Sequence, residues 1–183
     1  MTARVVLIGP ECTGKTRLTE DLAARYAVPF SAEHARAYVL RHGAALGYPD
    51  VAPIARGQRA GEDAAIAAAH RSGARLVLLD TDLVSTLVYS RHSYGDCPAW
   101  VEAEARRRVG ELYPLHHVDV EGVADGHQRE APERRAELFE RFRAALAALG
   151  AQVADVQGDW DERRRRAIAA IDRALTDPRR ARS

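Results

Sequence analysis

The sequence predicts one α/β domain, built on a doubly wound parallel sheet of about five strands with helices on both faces. Two observations predict this fold class. Short apolar runs of strand length alternate along the chain with segments whose apolar residues recur at helical spacing. Such alternation is typical of parallel strands joined by helical crossovers. The length of 183 residues also suits a single domain with a substantial core.

The first half of the chain predicts two strand–helix units with further helices between them. Each unit is an apolar run followed by apolar residues at the spacing of one helix face. The runs are 4–8 and 76–79, and the helix faces after them include Leu18, Leu22, Tyr26, Leu83 and Leu87. Helix-favouring composition marks the segments 35–41 and 58–71 between the units. A short second strand is expected before Glu33.

The second half continues the alternation. Strand candidates lie at 115–120 and 152–156. One helix opens near Pro132 and another ends the domain, and their apolar faces are Leu138, Phe142, Leu146, Leu149, Ile168, Ile171 and Leu175. The polar, arginine-rich segment 177–183 lacks periodicity, so we expect a domain at 1–176 and a disordered basic tail after it.

Composition excludes several classes of protein. The net charge of +1 gives no reason to expect a nucleic-acid or anionic membrane partner, because such partners usually demand a basic excess. No apolar stretch is long enough for a membrane span and no signal peptide precedes the first strand, so a cytoplasmic location is expected. Cys12 and Cys97 lack the paired spacing of a zinc site and are expected to be free thiols. Nothing predicts an oligomeric state.

The segment after the first strand matches the full P-loop pattern, which turns backbone N–H groups toward phosphates at a helix N-terminus. Its Lys15 is the only lysine in an arginine-rich chain, and lysine is slim enough to fit between phosphates inside a tight loop. We expect ATP to be the cofactor and Lys15 to bridge its β- and γ-phosphates. The residues expected to contact the nucleotide here are Gly9, Glu11, Cys12, Thr13, Gly14, Lys15, Thr16 and Arg17.

Two residues are predicted to hold Mg²⁺. The hydroxyl of Thr16 follows the P-loop lysine, where it can ligate the ion that spans the phosphates. Asp80 ends the second apolar run, so its carboxylate is expected at the carboxyl end of the sheet. Asp82 comes two residues later and either shares this site or caps the next helix.

The rest of the chain favours a small-molecule kinase among P-loop proteins. A GTPase needs a guanine-reading Asn-Lys-x-Asp segment, and the chain has no second lysine to form one. A remodelling ATPase usually needs a longer chain. A kinase also needs an arginine-bearing lid over the transferred phosphoryl group, and the segment 125–135 supplies Arg129, Arg134 and Arg135. Exposed arginines are common in this chain, so the alternative of a solvated loop stays open.

Further residues are candidates for binding the base and the acceptor. The run 163–166 suits a solvated helix face, or Arg163 borders an adenine pocket near Gly158. After the expected second strand, Glu33 either accepts a hydroxyl proton or starts an exposed helix, and Arg36 would orient the substrate. Tyr94 and Trp100 either stack on a planar base or are ordinary aromatic residues. The adjacent histidines 116 and 117 point to opposite faces of a strand and are a poor metal pair.

Taken together, these segments resemble the ribosylnicotinamide kinase domain of NadR-type proteins, within the P-loop nucleoside kinase-like group. The resemblance covers nearly the whole chain, in the order Gly9 to Thr16, Glu33-x-x-Arg36, Gly57-Gln58-Arg59, Asp80-Thr81-Asp82-Leu83, Tyr94-Gly95, Asp125-Gly126-x-x-Arg129, and Val156-x-Gly158 with Arg163. It implies transfer of the ATP γ-phosphate to the 5′-hydroxyl of nicotinamide riboside. By this likeness the residues around the acceptor are Glu33, Arg36, Asp82 and Asp125, with Arg129 in the lid.

The chain departs from the family at one position. The family usually has a tryptophan shortly before its Asp-Gly pair, and this chain has Gly122 there. The expected acceptor is therefore nicotinamide riboside or a related nucleoside, and a kinase for another small metabolite stays open. The alternative function is a nucleotide-hydrolysing regulatory ATPase without a small-molecule acceptor.

Overall fold

The computed structural model describes residues 2–43, 45–119 and 132–176. Within these ranges the strands are β1 Ala3–Leu7, β2 Phe30–Ser31, β3 Leu76–Asp80, β4 Tyr113–His116 and β5 Val153–Val156. The helices are α1 Lys15–Tyr26, α2 His34–His42, α3 Val51–Ser72, α4 Leu83–Tyr94, α5 Ala99–Arg107, α6 Pro132–Ala148 and α7 Trp160–Thr176, with a 3₁₀ turn at Tyr48–Asp50. None of the helices in the described part is long and apolar enough to cross a membrane. The predicted tail 177–183 lies outside the described residues.

All strands are parallel, as the sequence predicted. β3 lies between β1 and β2 in one group, and β4 pairs with β5 in another. Isolated parallel bridges from Val5 to Leu112 and from Ile8 to Leu115 join the two groups through β1. The resulting strand order is 2-3-1-4-5, with β1 in the centre. The carboxyl ends of all the strands therefore meet at one edge of the sheet.

Helices cover both faces of the sheet because the central strands are apolar on both sides. In β1, Val5 and Leu7 pack with α1 and α7 in one core cluster, whereas Val6 packs with α3, α4 and α6 in the other. Adjacent residues of a strand point to opposite faces, so an unbroken apolar run is buried on both faces of the sheet. The predicted doubly wound α/β class is confirmed.

The predicted bounds are wrong for α3, which begins at Val51 rather than at 58, and for the fourth strand, and α5 was not predicted. The expected range of that strand was 115–120, but β4 is Tyr113–His116. Pro114 obscured its start, because proline weakens a strand signal. In the structure the carbonyl oxygen of Pro114 accepts a hydrogen bond from the N–H of Ile8, at 3.1 Å, so β4 pairs with β1 through an acceptor that proline keeps.

The helices α3, α4 and α5 form a unit that extends beyond the carboxyl end of β3. Gln58 of α3 contacts Thr81 just before α4, whereas Tyr48 just before α3 contacts Tyr94 at the far end of α4. The two helices are therefore antiparallel. α3, with 22 residues, is about 33 Å long, whereas the five residues of β3 span about 17 Å. This unit forms one wall above the edge of the sheet.

Candidate active site

The P-loop leaves β1 and enters α1 through backbone conformations that only its glycines adopt easily. Gly9 has φ of +135° and Gly14, the N-cap of α1, has φ of +82°. A Cβ atom at Gly9 would lie 2.7 Å from the carbonyl oxygen of His116. Gly9 therefore lets the loop pass directly over the end of β4. Cys12 is also in the left-handed region, with φ of +56°.

The polar side chains of the loop hold its shape from inside. The Thr13 hydroxyl donates to the carbonyl oxygen of Pro10 at 2.8 Å, and the Lys15 ammonium donates to the same oxygen at 2.7 Å. Both side chains are buried. The loop thus combines a helix N-terminus with an enclosed positive charge, which is the arrangement that binds phosphate.

The two residues predicted to hold Mg²⁺ are in direct contact. The Thr16 hydroxyl donates to Oδ2 of Asp80 at 2.6 Å. Asp80 is only 1% exposed, and its Oδ1 has no hydrogen-bond partner among the described residues. Burial raises the pKa of Asp80 to about 6; the charge of Glu33 adds to this, and Thr16 and Lys15 oppose it. A buried carboxylate with one unpaired oxygen beside a hydroxyl is a suitable donor set for a hard cation.

No group of three or more His, Cys, Asp or Glu side chains in the described ranges could hold a metal ion by itself. Mg²⁺ differs from zinc in this respect, because it commonly uses one or two protein oxygens and takes its other ligands from water and nucleotide phosphates. The Thr16 and Asp80 pair therefore fits Mg²⁺ when the ion is bound together with a nucleotide.

A second carboxylate, that of Glu33, acts electrostatically on Asp80. Glu33 follows β2 and is the N-cap residue of α2, and its side chain makes no capping hydrogen bond to that helix. Its negative charge raises the pKa of Asp80, whereas the positive charge of Arg36 lowers it. The charges of Glu33 and Arg36 are thus within electrostatic range of Asp80.

Asp82 occupies a different environment from the one predicted by the resemblance. Its Oδ1 accepts the backbone N–H of Val84 at 2.9 Å, which makes it the N-cap of α4. Its Oδ2 accepts the hydroxyl of Tyr113 at 2.7 Å, and the residue is 5% exposed. With both oxygens bonded inside the protein, Asp82 has the structural role that the sequence offered as the alternative to a substrate contact.

The two predicted aromatic platform residues pack against other side chains of the protein. Tyr94 meets Tyr48 edge-on at 5.9 Å between ring centroids, and Arg56 lies over Trp100 at 5.5 Å. Tyr94 ends α4, a helix of 12 residues and about 18 Å that begins just after Asp80. The length of α4 therefore keeps Tyr94 away from the Asp80 carboxylate, whereas Trp100 lies in α5 beside Arg56.

Tyr89 is an aromatic residue at the site that sequence reasoning missed. Its hydroxyl donates to Oε2 of Glu11 in the P-loop at 3.2 Å, and its ring meets Phe142 of α6 edge-on at 5.7 Å. Burial raises the pKa of Tyr89 well above its usual value, and the charges of Glu11 and Glu33 add to this effect. Tyr89 thus lies between the P-loop and the expected acceptor side. In the sequence, the position of Tyr89 in the helix that follows Asp80 was the feature that could have indicated its place near the site.

Arg163 is buried, so the expectation of a solvated face is wrong at this residue. It is 2% exposed and makes an ion pair with Asp119. Its guanidinium also donates to four carbonyl oxygens, those of Thr13, Val156, His117 and Gly158. These groups belong to the P-loop and to the segments after β4 and β5. Arg163 therefore links the P-loop to the segments after β4 and β5 through buried hydrogen bonds.

An aromatic side chain borders the P-loop on the Gly158 side. The guanidinium of Arg17 lies 3.9 Å from the ring centroid of Trp160. A Cβ at Gly14 would lie 3.5 Å from the same ring. Arg17 was among the predicted nucleotide contacts, whereas Trp160 was missed. Its position two residues after Gly158, at the start of the last helix, was the signal that pointed to it.

His116 supports the P-loop from below as a neutral side chain. It is fully buried, and its Nδ1 lies 3.0 Å from the carbonyl oxygen of Thr13. Burial lowers the pKa of His116 to about 3, so the ring is neutral, and because its partner is a carbonyl oxygen, Nδ1 carries the hydrogen and donates. His117 makes a separate contact, with its Nε2 2.7 Å from a carboxylate oxygen of Asp155.

Part of the predicted site cannot be placed. Asp125, Arg129 and Gly122 lie outside the described residues. Arg134 is exposed in the first turns of α6, and the neighbouring Arg135 is half-buried. The predicted lid therefore stays a prediction.

Comparisons with known proteins agree with this geometry. A family model described as an AAA domain matches residues 4–163, which is most of the chain. The chain belongs to this AAA-domain family. A search of curated proteins finds no match.

Solved structures place the AAA domain among nucleoside and nucleotide kinases in fold. The NadR protein in complex with NR has a TM-score of 0.78 and 25% identity over 95% of this chain. NadR in complex with NAD and AMP-PNP gives 0.75 and 23% over 95%, and thymidylate kinase from Ehrlichia chaffeensis gives 0.61 and 14% over 93% of this chain and 97% of its own. The AAA domain spans 52% and 49% of the two NadR chains, about half their length. The predicted NadR-type kinase-like domain is confirmed.

Proposed function

We infer that this protein is an ATP- and Mg²⁺-dependent kinase that phosphorylates a hydroxyl of a small nucleoside, with nicotinamide riboside as the first acceptor to test. One observation carries the inference. Glu33 follows β2, which pairs in parallel with β3, so it lies at the same edge of the sheet as Asp80, and its charge raises the pKa of Asp80. A carboxylate in that place gives an acceptor hydroxyl a proton acceptor beside the phosphate site. The likeness to NadR in complex with NR supports the choice of acceptor.

The nucleotide side would act by positioning and charge neutralisation. The backbone N–H groups of the P-loop and the Lys15 ammonium would hold the β- and γ-phosphates. Thr16 and Asp80 would hold Mg²⁺, which when bound neutralises charge on the phosphates. Other contacts to the nucleotide are proposed for Gly9, Glu11, Cys12, Thr13, Gly14 and Arg17, and for Arg134 and Gly158.

The acceptor side would supply the proton transfer. The acceptor hydroxyl oxygen forms a bond to the γ-phosphorus as the bond from that phosphorus to the β–γ bridging oxygen breaks, so ADP leaves. Glu33 takes the proton of the hydroxyl. Arg36 would orient the acceptor or neutralise the phosphoryl oxygens, and Asp125 and Arg129 would complete the site from the lid. Since Glu33 and Arg36 lie at the start of α2 and Asp80 ends β3, the fold itself would set the reacting distance.

The experiment that tests this function is ATP consumption by the purified protein with Mg²⁺ across a panel of nucleosides. Strong stimulation by nicotinamide riboside, with formation of its mononucleotide, is the expected result. Stimulation by a different nucleoside would keep the reaction and change the acceptor. Lys15→Ala should abolish phosphoryl transfer and leave the circular dichroism spectrum unchanged, with Arg71→Ala as an exposed cationic control. An active Lys15→Ala enzyme would contradict the role of the P-loop.

The description of the family as an AAA domain favours a second candidate. This is a regulatory ATPase that hydrolyses its nucleotide without a small-molecule acceptor. The same assay separates the two. A kinase hydrolyses ATP slowly alone and much faster with its acceptor, whereas a regulatory ATPase responds to a protein and to no nucleoside in the panel.

A further inference from the structure

One buried amide connects the two carboxylate-bearing segments of the site. Gln58 of α3 is 3% exposed. Its Oε1 accepts the backbone N–H of His34 at 2.9 Å, and its Nε2 donates to the carbonyl oxygen of Thr81 at 3.1 Å. His34 directly follows Glu33, and Thr81 directly follows Asp80. The amide therefore bonds to the residue after each of the two carboxylates.

The contact at His34 has a direct consequence for Glu33. The first N–H groups of a helix have no partner within the helix, and the side chain of the N-cap residue commonly bonds one of them. In α2 that N-cap residue is Glu33, and its side chain makes no such bond. Gln58 gives the first of these N–H groups, that of His34, an acceptor from a neighbouring helix. The α2 N-terminus beside Glu33 is therefore tied to α3, while the Glu33 carboxylate makes no capping bond to α2 and its charge acts on Asp80.

The contact at Thr81 holds the other carboxylate. Thr81 has φ of +66°, a left-handed conformation that a β-branched residue rarely adopts. Its carbonyl oxygen is turned toward α3, where it accepts from Gln58, while its N–H donates to the carbonyl oxygen of Leu7 at 3.1 Å. The turn that follows Asp80 is therefore fixed from both α3 and β1. A strained conformation persists only when its surroundings hold it in this way.

The neighbouring Gly57 allows the approach. A Cβ atom at Gly57 would lie 2.1 Å from Nε2 of His34, so the imidazole ring rests directly on the α3 backbone. The orientation of the Gln58 amide is also unambiguous, because one of its backbone partners is a donor and the other an acceptor. Close packing and hydrogen bonding thus set one distance between α2 and the end of β3.

We propose that Gln58 is a positioning residue that fixes the Glu33 carboxylate relative to the Asp80 carboxylate and thereby aligns the acceptor hydroxyl with the γ-phosphate. This role rests on the proposed kinase function. Gln58 touches neither nucleotide nor acceptor and acts through the backbone of His34 and Thr81. Misplacement of a reacting group by about 1 Å can cost about 100-fold in rate, so one lost bridge is expected to be visible in kcat.

The test is Gln58→Met, which keeps the length of the side chain and removes both hydrogen bonds to the backbone, together with the contact to the Glu62 carboxylate. The matched control is Gln152→Met, the same change at an exposed position before β5. In Gln58→Met we expect kcat with the acceptor to fall at least about tenfold, since a tenfold change is about 1.4 kcal/mol and two hydrogen bonds are lost. The Kd for ATP, measured by calorimetry, should stay within about twofold of wild type because no P-loop contact changes. Gln152→Met should change neither quantity.

Two kinetic outcomes would overturn the role. The first is a kcat for Gln58→Met close to that of wild type. The second is a parallel loss of ATP affinity, kcat and thermal stability, which would show that Gln58 only stabilises the fold.

If the wild-type protein phosphorylates no nucleoside, the proposed function fails, and the role of Gln58 is then tested by hydrogen exchange. The amide of His34 should exchange at least about tenfold faster in Gln58→Met than in wild type, because its hydrogen-bond acceptor is lost. Unchanged exchange over residues 32–36 would contradict the positioning role whatever the reaction is.

Discussion

Arg163 offers the sharpest test of how the nucleotide side is built. Its guanidinium joins segments that are far apart in sequence, and no other described side chain contacts Gly158, Thr13 and Asp119 together. Arg163→Met keeps most of the buried aliphatic volume and removes every one of these hydrogen bonds. The change therefore isolates the guanidinium from the packing of α7.

The cost follows from the contacts. The bonds to Thr13 and Val156, at 3.4 Å, matter least, because both oxygens also accept from histidine donors. The bond to Gly158 at 2.8 Å, the bond to His117 at 3.2 Å and the ion pair with Asp119 remain. At about 1 kcal/mol each, these three give a loss of about 3 kcal/mol in the free energy of unfolding. For a domain of this size, that lowers Tm by about 6–12 °C.

The assay is thermal unfolding followed by calorimetric titration with ATP. The Kd for ATP should rise about tenfold or more, because Thr13 and Gly158 lose their common support. Arg165→Met is the control on the same helix. Its side chain is 71% exposed and pairs only with Glu162 among the described residues, so we expect a change within about 0.5 kcal/mol. A Tm for Arg163→Met within about 2 °C of wild type would refute the reasoning, since it would assign less than about 1 kcal/mol to all these contacts.

Three further predictions concern single residues. Asp80→Asn should lower kcat at least about 100-fold and raise the Mg²⁺ concentration needed for half-maximal activity, and an unchanged metal titration would remove Asp80 from the cation site. In the wild-type protein, buried His116 takes up no proton until about pH 3, whereas the same side chain in the unfolded chain takes one up below about pH 6.5, so low pH favours unfolding. His116→Gln lacks this effect. Between pH 7 and pH 5 its free energy of unfolding in urea should therefore rise by about 2 kcal/mol relative to that of wild type. Equal pH profiles would contradict this. Gly9→Ala should destabilise the protein more than Gly73→Ala, because a Cβ at Gly9 meets a carbonyl oxygen at 2.7 Å, whereas nothing lies within 4 Å at Gly73. Similar Tm values for the two variants would count against that close approach.

The features that the sequence could predict are those encoded by neighbouring residues. The P-loop, its flanking strand and helix, and the contact between Thr16 and Asp80 follow from a contiguous pattern and from the rule that parallel strands end at one edge. The alternation of strands and helices gave the parallel sheet for the same reason. The position of Glu33 beside Asp80 also followed from this rule, since it comes after a neighbouring strand.

The features that escaped prediction depend on contacts between distant segments. Gln58 meets backbone groups more than 20 positions away on either side, and no local pattern marks such a meeting. Asp82 could serve as a helix cap or face a substrate, and only the approach of Tyr113 decided between them. Tyr94 and Trp100 were candidates by residue type alone. Their placement depends on the length of α4 and on how α5 folds back against it.

The two halves of the site are held by different buried residues, and this separation makes a last prediction. Arg163 bonds to the P-loop and to the segments after β4 and β5, whereas Gln58 bonds to His34 and Thr81, so the two share no hydrogen-bond partner. Changes at sites without shared partners add in free energy to within about 0.5 kcal/mol.

The double variant of Arg163→Met and Gln58→Met should therefore show the Kd for ATP of the first and the fold-loss in kcat of the second. Each single variant is its own control in this cycle, measured by calorimetry and by initial rates at saturating ATP. A coupling energy above about 1 kcal/mol would mean that the nucleotide and acceptor sides move as one unit. The amide of Gln58 would then act on ATP binding as well, and its effect would not be confined to the acceptor.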